Sequence, residues 1–132
     1  MRVLIVDDNV GLAENIAEIL QLDGHSTEVA CSAEEAMPKV AQTGPDVVIT
    51  DFRLPGMNGT EFLRRFRGES KHPYAVVISA YTDEGTISEA TRAGATFIAK
   101  PVDFQVLCRI VREVTLLATH RSCVPPGFVE SA

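Results

Sequence analysis

Four apolar runs along the chain each end in a polar residue: Val3-Leu4-Ile5-Val6 before Asp7-Asp8, Val47-Val48-Ile49-Thr50 before Asp51, Ala75-Val76-Val77-Ile78 before Ser79, and Thr96-Phe97-Ile98-Ala99 before Lys100-Pro101. Short runs rich in Val and Ile predict strands buried on both faces, as in a parallel sheet. Ser26 to Ala30 gives a weaker strand, second in chain order. Between the strands the pattern changes to a helical period. Leu12, Ile16, Ile19 and Leu20 mark a first helix closed by Asp23-Gly24. Ser32 with Glu35 predicts a capping box opening a second helix of Ala36, Met37, Val40 and Ala41, ended by Gly44-Pro45. Pro38 removes a backbone donor inside it, so a kink or a late start is expected. Asn58 caps a third helix with Phe62, Leu63 and Phe66, and the fourth strand follows Pro73. A fourth helix, about Glu84 to Ala93, has Ile87, Ala90 and Ala93 as a modest apolar face and poor intrinsic propensity. The last starts at Asp103 and carries Leu107, Ile110, Val111, Val114 and Leu117 on one face. The pattern stops near His120, so residues 1–120 are expected to be one domain and 121–132, with Pro125-Pro126-Gly127, a tail or linker stub.

Five strands alternating with five helices imply an α/β fold with a doubly wound parallel sheet. Right-handed crossovers favour the flavodoxin-like strand order 2-1-3-4-5. In that order the first and third strands meet at the topological switch point, where ligands bind beyond the carboxyl ends. Asp7, Asp8 and Asp51 fall there.

Composition narrows the function classes. The 132 residues, 45% apolar and 23% charged, suit one soluble domain with a core of its own. The net charge of −6 argues against broad binding to nucleic acid or anionic membranes. The cluster Arg64, Arg65 and Arg67 reads as a solvated helix face. No apolar stretch is long enough for a bilayer, and no signal-peptide pattern opens the chain. Cys31, Cys108 and Cys123 have no CxxC spacing, and His25, His72 and His120 are scattered. Free thiols in a reducing cytoplasm, no zinc site, and surface or capping histidines are the expectations.

Three carboxylates brought within a few ångströms repel one another and call for a cation or raised pKa values. A hard divalent ion with oxygen ligands suits them, Mg2+ above all. Taken singly, Asp7-Asp8 also reads as a turn and helix cap, and Lys100 as a loop residue. Placed together, Lys100 can neutralise an anion on Asp51 and Ser79 can hydrogen-bond a phosphoryl oxygen. Asp51 could then attack an activated phosphate and become an aspartyl phosphate.

Over roughly residues 2 to 118 the chain resembles the CheY-like receiver domain of two-component response regulators. The resemblance rests on Asp7-Asp8, Asp51, Ser79, Lys100-Pro101, Leu54-Pro55-Gly56-Met57-Asn58-Gly59 and Ala93-Gly94-Ala95. It implies Asp51 as phospho-acceptor from a sensor histidine kinase or histidine phosphotransfer protein. It implies Mg2+ held by Asp8, Asp51 and the Arg53 carbonyl, with Asp7 acting through water. Ser79 would swing to the phosphoryl group, Lys100 would pair with it, and Phe97 would be the aromatic switch. The bland alternative for Phe97 is a core side chain. Arg53 and Tyr81, two residues after Asp51 and Ser79, are expected to shield the acyl phosphate unless they point to solvent.

Such a domain catalyses its own phosphorylation and dephosphorylation but is not otherwise an enzyme. Output to a downstream effector domain or protein is expected through the fourth helix, fifth strand and fifth helix, with Val106 and Leu116 as candidate contacts. A dimer on phosphorylation is left open. No effector follows residue 120, so the chain reads as a stand-alone receiver or one cut from a longer regulator or hybrid kinase. Its Met just before the first strand favours an amino-terminal position. Three other readings fit the residues less well. An Asp-nucleophile phosphatase of haloacid dehalogenase type lacks its second Asp, since Asp51-Phe52-Arg53 stands where DxD is needed. A flavodoxin-like FMN carrier lacks the phosphate loop. A phosphorylation-independent interaction module would not need the acids and lysine found here.

Overall fold

Alternate residues of a single strand serve two separate cores. The computed structural model describes residues 1–65 and 73–123. Its strands are β1 (Arg2–Val6), β2 (Ser26–Ala30), β3 (Val47–Asp51), β4 (Arg53–Leu54), β5 (Met57–Asn58), β6 (Tyr74–Ser79) and β7 (Thr96–Ala99). Its helices are α1 (Val10–Leu22), α2 (Ala33–Thr43), α3 (Gly59–Arg65), α4 (Glu84–Arg92) and α5 (Phe104–Cys123). On β1, Val3 and Ile5 face α1 and α5, packing with Ile16, Leu20, Leu107 and Val111. Leu4 and Val6 face the other way, with Ala36, Phe62 and Ala90 from α2, α3 and α4. The period of two along a strand makes this division. Fully burying each large apolar side chain contributes about 1.5–3 kcal/mol.

The main sheet is parallel, with order β2-β1-β3-β6-β7. With the two hairpin strands left out, this is the expected flavodoxin-like order 2-1-3-4-5. The antiparallel β4–β5 hairpin was not anticipated. Its corner is Pro55-Gly56, with Gly56 at φ 82°, where a side chain would be strained.

Several local expectations need correction. Helix α2 starts at Ala33, without delay, because Ser32 Oγ accepts the Glu35 N–H at 3.1 Å. Its Pro38 is exposed and lies inside the helix. The returning arm of the cap goes to Cys31, whose N–H donates to Glu35 Oε2 at 3.0 Å. In α4 the core positions are Thr86 and Ala90, while Ile87 is 37% exposed. Thr86 tolerates burial because Asp83 Oδ1 accepts its hydroxyl at 2.9 Å. Asp83 caps the start of α4, which ends at Arg92 with Ala93 as its C-cap, and Asp103 is a cap rather than the first residue of α5, which begins at Phe104. Helix α5 continues past the expected stop at His120 to Cys123. His25 is buried rather than at the surface, and neither ring nitrogen has a hydrogen-bond partner. Phe66, Arg67, His72 and residues 124–132 lie outside the described residues, as do the side chains of Leu117, His120 and Cys123. Among the described residues no helix is long and apolar enough to cross a membrane.

Candidate functional site

The carboxyl ends of β1, β3, β6 and β7 collect the polar residues that close the four apolar runs. Asp7 follows β1 directly; its N–H donates to the Ala30 carbonyl of β2 at 3.1 Å, and its Oδ1 accepts the Asn9 N–H at 2.9 Å. That turn leads into α1, capped by Asn9 Oδ1 on the Leu12 N–H at 3.1 Å. Asp7 is therefore partly a turn residue, as one reading of the Asp-Asp pair held. Its second oxygen is different. Oδ2 is buried and accepts no hydrogen bond, with the Lys100 ammonium 3.3 Å away as an ion pair.

Asp51 is the last residue of β3 and is mostly buried. Its Oδ2 accepts from Lys100 Nζ at 3.2 Å, and its Oδ1 faces the Arg53 N–H at 3.4 Å. Asp8 is exposed, yet one oxygen from each of Asp7, Asp8 and Asp51 lies within 4.8 Å of the others. Oxygen donors alone and three potential negative charges, offset by a single ammonium, fit a hard divalent cation. The cluster could hold such a metal.

Burial raises the Asp7 carboxyl above the ordinary carboxylate range. The Asn9 N–H opposes that rise, the Asp51 charge adds to it, and Lys100 reduces it. Burial alone would depress the Lys100 ammonium, but the Asp51 and Asp7 carboxylates outweigh it and hold its pKa above the ordinary value. The lysine thus stays charged between the two acids.

Ser79, at the end of β6, is buried, and its Oγ accepts the Tyr81 N–H at 2.9 Å. Its carbonyl accepts the Lys100 N–H at 2.8 Å, tying the ends of β6 and β7 together just before the cis Lys100–Pro101 bond. Tyr81 and Arg53 are both exposed, and they stack on each other. The guanidinium carbon lies 4.1 Å from the tyrosine ring centroid, a stack joining the first residue of β4 to the loop after β6. Phe97 sits apart from the polar edge: it is half-buried on β7 and packs against the core on the α2, α3 and α4 side.

Gly59, part of the Leu54–Gly59 signature, has a structural role of its own. A Cβ built there would lie 2.3 Å from the Asp51 carbonyl oxygen, and its N–H donates to the Phe52 carbonyl at 2.6 Å. Only a glycine lets α3 begin this close to the acidic strand. The Asn58-Gly59 pair after a strand was the available signal, but its partner, the backbone of Asp51, comes from the fold.

Comparison with known proteins agrees with this geometry. A sequence model of the response regulator receiver domain matches residues 3–112. The chain is similar to sporulation initiation phosphotransferase F of Bacillus subtilis, 31% identical over 120 residues, covering 90% of this chain and 97% of that protein. It is also similar to the DNA-binding response regulator MtrA of Mycobacterium tuberculosis, 36% identical over 112 residues, 84% of this chain. The chain spans only 49% of MtrA and 26% of the Escherichia coli regulatory protein AtoC, to which it is 32% identical over 121 residues, 91% of this chain. Among solved structures, a CheY-like receiver domain protein of Methanospirillum hungatei superposes with a TM-score of 0.80 at 26% identity, covering 90% of this chain and 97% of the other. Acidic edge, lysine, strand order and family match converge: the chain belongs to the receiver domain family of two-component response regulators.

Proposed function

We propose that Asp51 accepts a phosphoryl group from a phosphohistidine on a sensor kinase or phosphotransfer protein, and that the charge change at this edge switches an output face. The observation that carries this reading is the placement of Asp51: a carboxylate at the sheet edge, 3.2 Å from an ammonium and beside two further acids. The Asp51 oxygen would form a bond to phosphorus as the phosphorus–nitrogen bond of the donor breaks, the imidazole leaving as it takes up a proton. Lys100, already charged, would neutralise the transferred group. Ser79, whose Oγ now accepts from Tyr81, would turn its hydroxyl toward a phosphoryl oxygen.

Mg2+ fits the donor set best; Asp8, Asp51 and the Arg53 carbonyl would hold it, with Asp7 acting through water. When bound it supplies neutralisation of the incoming phosphate charge. The Arg53–Tyr81 stack would shield the acyl phosphate from water. Output would run through α4, β7 and α5, with Phe97 as a switching side chain, Val106 and Leu116 as exposed contacts, and dimerisation as one form of readout. The domain itself would work in the cytoplasm without binding nucleic acid or membrane. The likeness to a sporulation phosphotransferase supports a place in a phosphorelay.

Intact mass after incubation with Mg2+ and acetyl phosphate tests this. One added phosphoryl group is expected in the wild type, with none in Asp51→Asn or without Mg2+. No gain under conditions that preserve acyl phosphates would favour a phosphorylation-independent interaction module.

A further inference from the structure

Gly59, Thr60 and Glu89 form a line of contacts from the acidic strand to helix α4. Gly59 rests on the Asp51 carbonyl with no room for a Cβ. The next residue, Thr60, is fully buried, and its Oγ1 lies 2.8 Å from Glu89 Oε1 on α4 and 2.6 Å from Asn58 Oδ1. Asn58 Oδ1 also accepts the Glu61 N–H at 2.9 Å, which turns Nδ2 toward Glu89 Oε1 at 3.5 Å. The Thr60 hydroxyl has a single proton for two acceptors. Both acceptors lie within its reach, so Thr60 ties Asn58 and the Glu89 carboxylate of α4 into one cluster. The apolar hold on α4 is slight: within the helix only Thr86 and Ala90 are buried. Small side chains bury little apolar area, which makes a charge-assisted hydrogen bond a large part of what seats the helix.

We propose that Thr60 and Glu89 are a positioning pair that couples the Asp51 strand to helix α4. This rests on Asp51 being the phospho-acceptor. Any shift of the Asp51 backbone must move Gly59, and Thr60 moves with its neighbour. The hydroxyl then leaves Glu89, and α4 loosens. Coupling of this kind is reciprocal, so the seating of α4 also biases the acceptor strand. The sequence places no such demand on residues 60 and 89 taken separately; the fold brings them together across 29 positions.

Amide hydrogen exchange over residues 86–92 tests the pair, with intact mass recording how much protein carries phosphate. Thr60→Val and Glu89→Ala should each speed exchange in α4 about three- to tenfold, leaving β1 and α1 unchanged. The double variant should add little to either single change. Loading of the wild type with Mg2+ and acetyl phosphate should speed the same amides, and Thr60→Val should lose that increment. Unaltered α4 exchange in both single variants would overturn the pair. A loading response in Thr60→Val equal to that of the wild type would overturn the coupling. If the mass shows no loading, the acceptor reading fails and the coupling falls with it, while exchange in the unloaded variants still judges the pair.

Discussion

Lys100 Nζ lies 3.2 Å from Asp51 Oδ2, across 49 positions of sequence, and the same ammonium is 3.3 Å from Asp7 Oδ2. One cation thus holds acids from the ends of two strands. In Lys100→Ala those buried acids lose their counter-charge. Without divalent cations the variant should be less stable by about 2 kcal/mol, because breaking a partly buried pair strands the remaining charges. Saturating Mg2+ should restore more stability to the variant than it adds to the wild type. Denaturant unfolding with and without Mg2+ checks this; equal metal-free stability would show that the lysine does not hold the acids together.

Asp7 works in the opposite sense. Burial raises its folded pKa, so the folded state binds the proton more tightly than the unfolded chain. Its contribution therefore favours folding at low pH and is lost as pH rises from the ordinary carboxylate value through the raised one. At neutral pH Asp7→Asn should stabilise the metal-free protein by about 1 kcal/mol and flatten that part of the pH profile. It should also shrink the stabilisation by Mg2+. Metal-free melting at several pH values reads both effects, and a less stable variant at pH 7 would contradict them.

His25 predicts an acid limb of separate origin. Burial lowers its pKa, with the amino terminus adding to the fall, Asp23 opposing it and Arg112 adding a little. The unfolded chain then binds the proton more readily, so stability drops as pH falls below about 6.5. His25→Leu removes two unpartnered ring nitrogens and should gain about 1 kcal/mol near pH 6 while losing the slope. Urea unfolding from pH 5 to 8 would show it. A slope unchanged in the variant would place the titration elsewhere.

The proposed shielding by the Arg53–Tyr81 stack predicts an effect on lifetime rather than on loading. Arg53→Asn and Tyr81→Ala should each shorten the life of the phosphorylated form about fivefold, while the yield from excess acetyl phosphate changes little. Decay of the intact mass after donor removal measures this, and an unchanged lifetime in both variants would dismiss the shield.

Much of the fold was legible because two-faced strands leave an unambiguous trace: Val3-Leu4-Ile5-Val6 is apolar at every position since each face has its own core. The site was legible for a related reason, since the polar residue ending each run lies at the sheet edge whatever the helices do. What escaped depended on partners distant in sequence. Ile87 reads as part of the apolar face of α4 with Ala90 and Ala93; those two are buried, but Ile87 is exposed and Thr86, whose hydroxyl Asp83 accepts, is buried beside them. His25 looked like a surface residue because the cover over the α1–β2 corner is not written near it. The Thr60–Glu89 contact and the Gly59 approach to Asp51 have no local signature of this kind.

Site-resolved trapping of the phosphoryl group is the most direct measurement. Borohydride reduces an aspartyl phosphate to homoserine, which peptide mass mapping locates. After Mg2+ and acetyl phosphate, the reduced residue should appear at position 51 alone, and Asp51→Asn should abolish it. Reduction at position 7 or 8 instead, or none in protein whose intact mass carries phosphate, would contradict Asp51 as the acceptor.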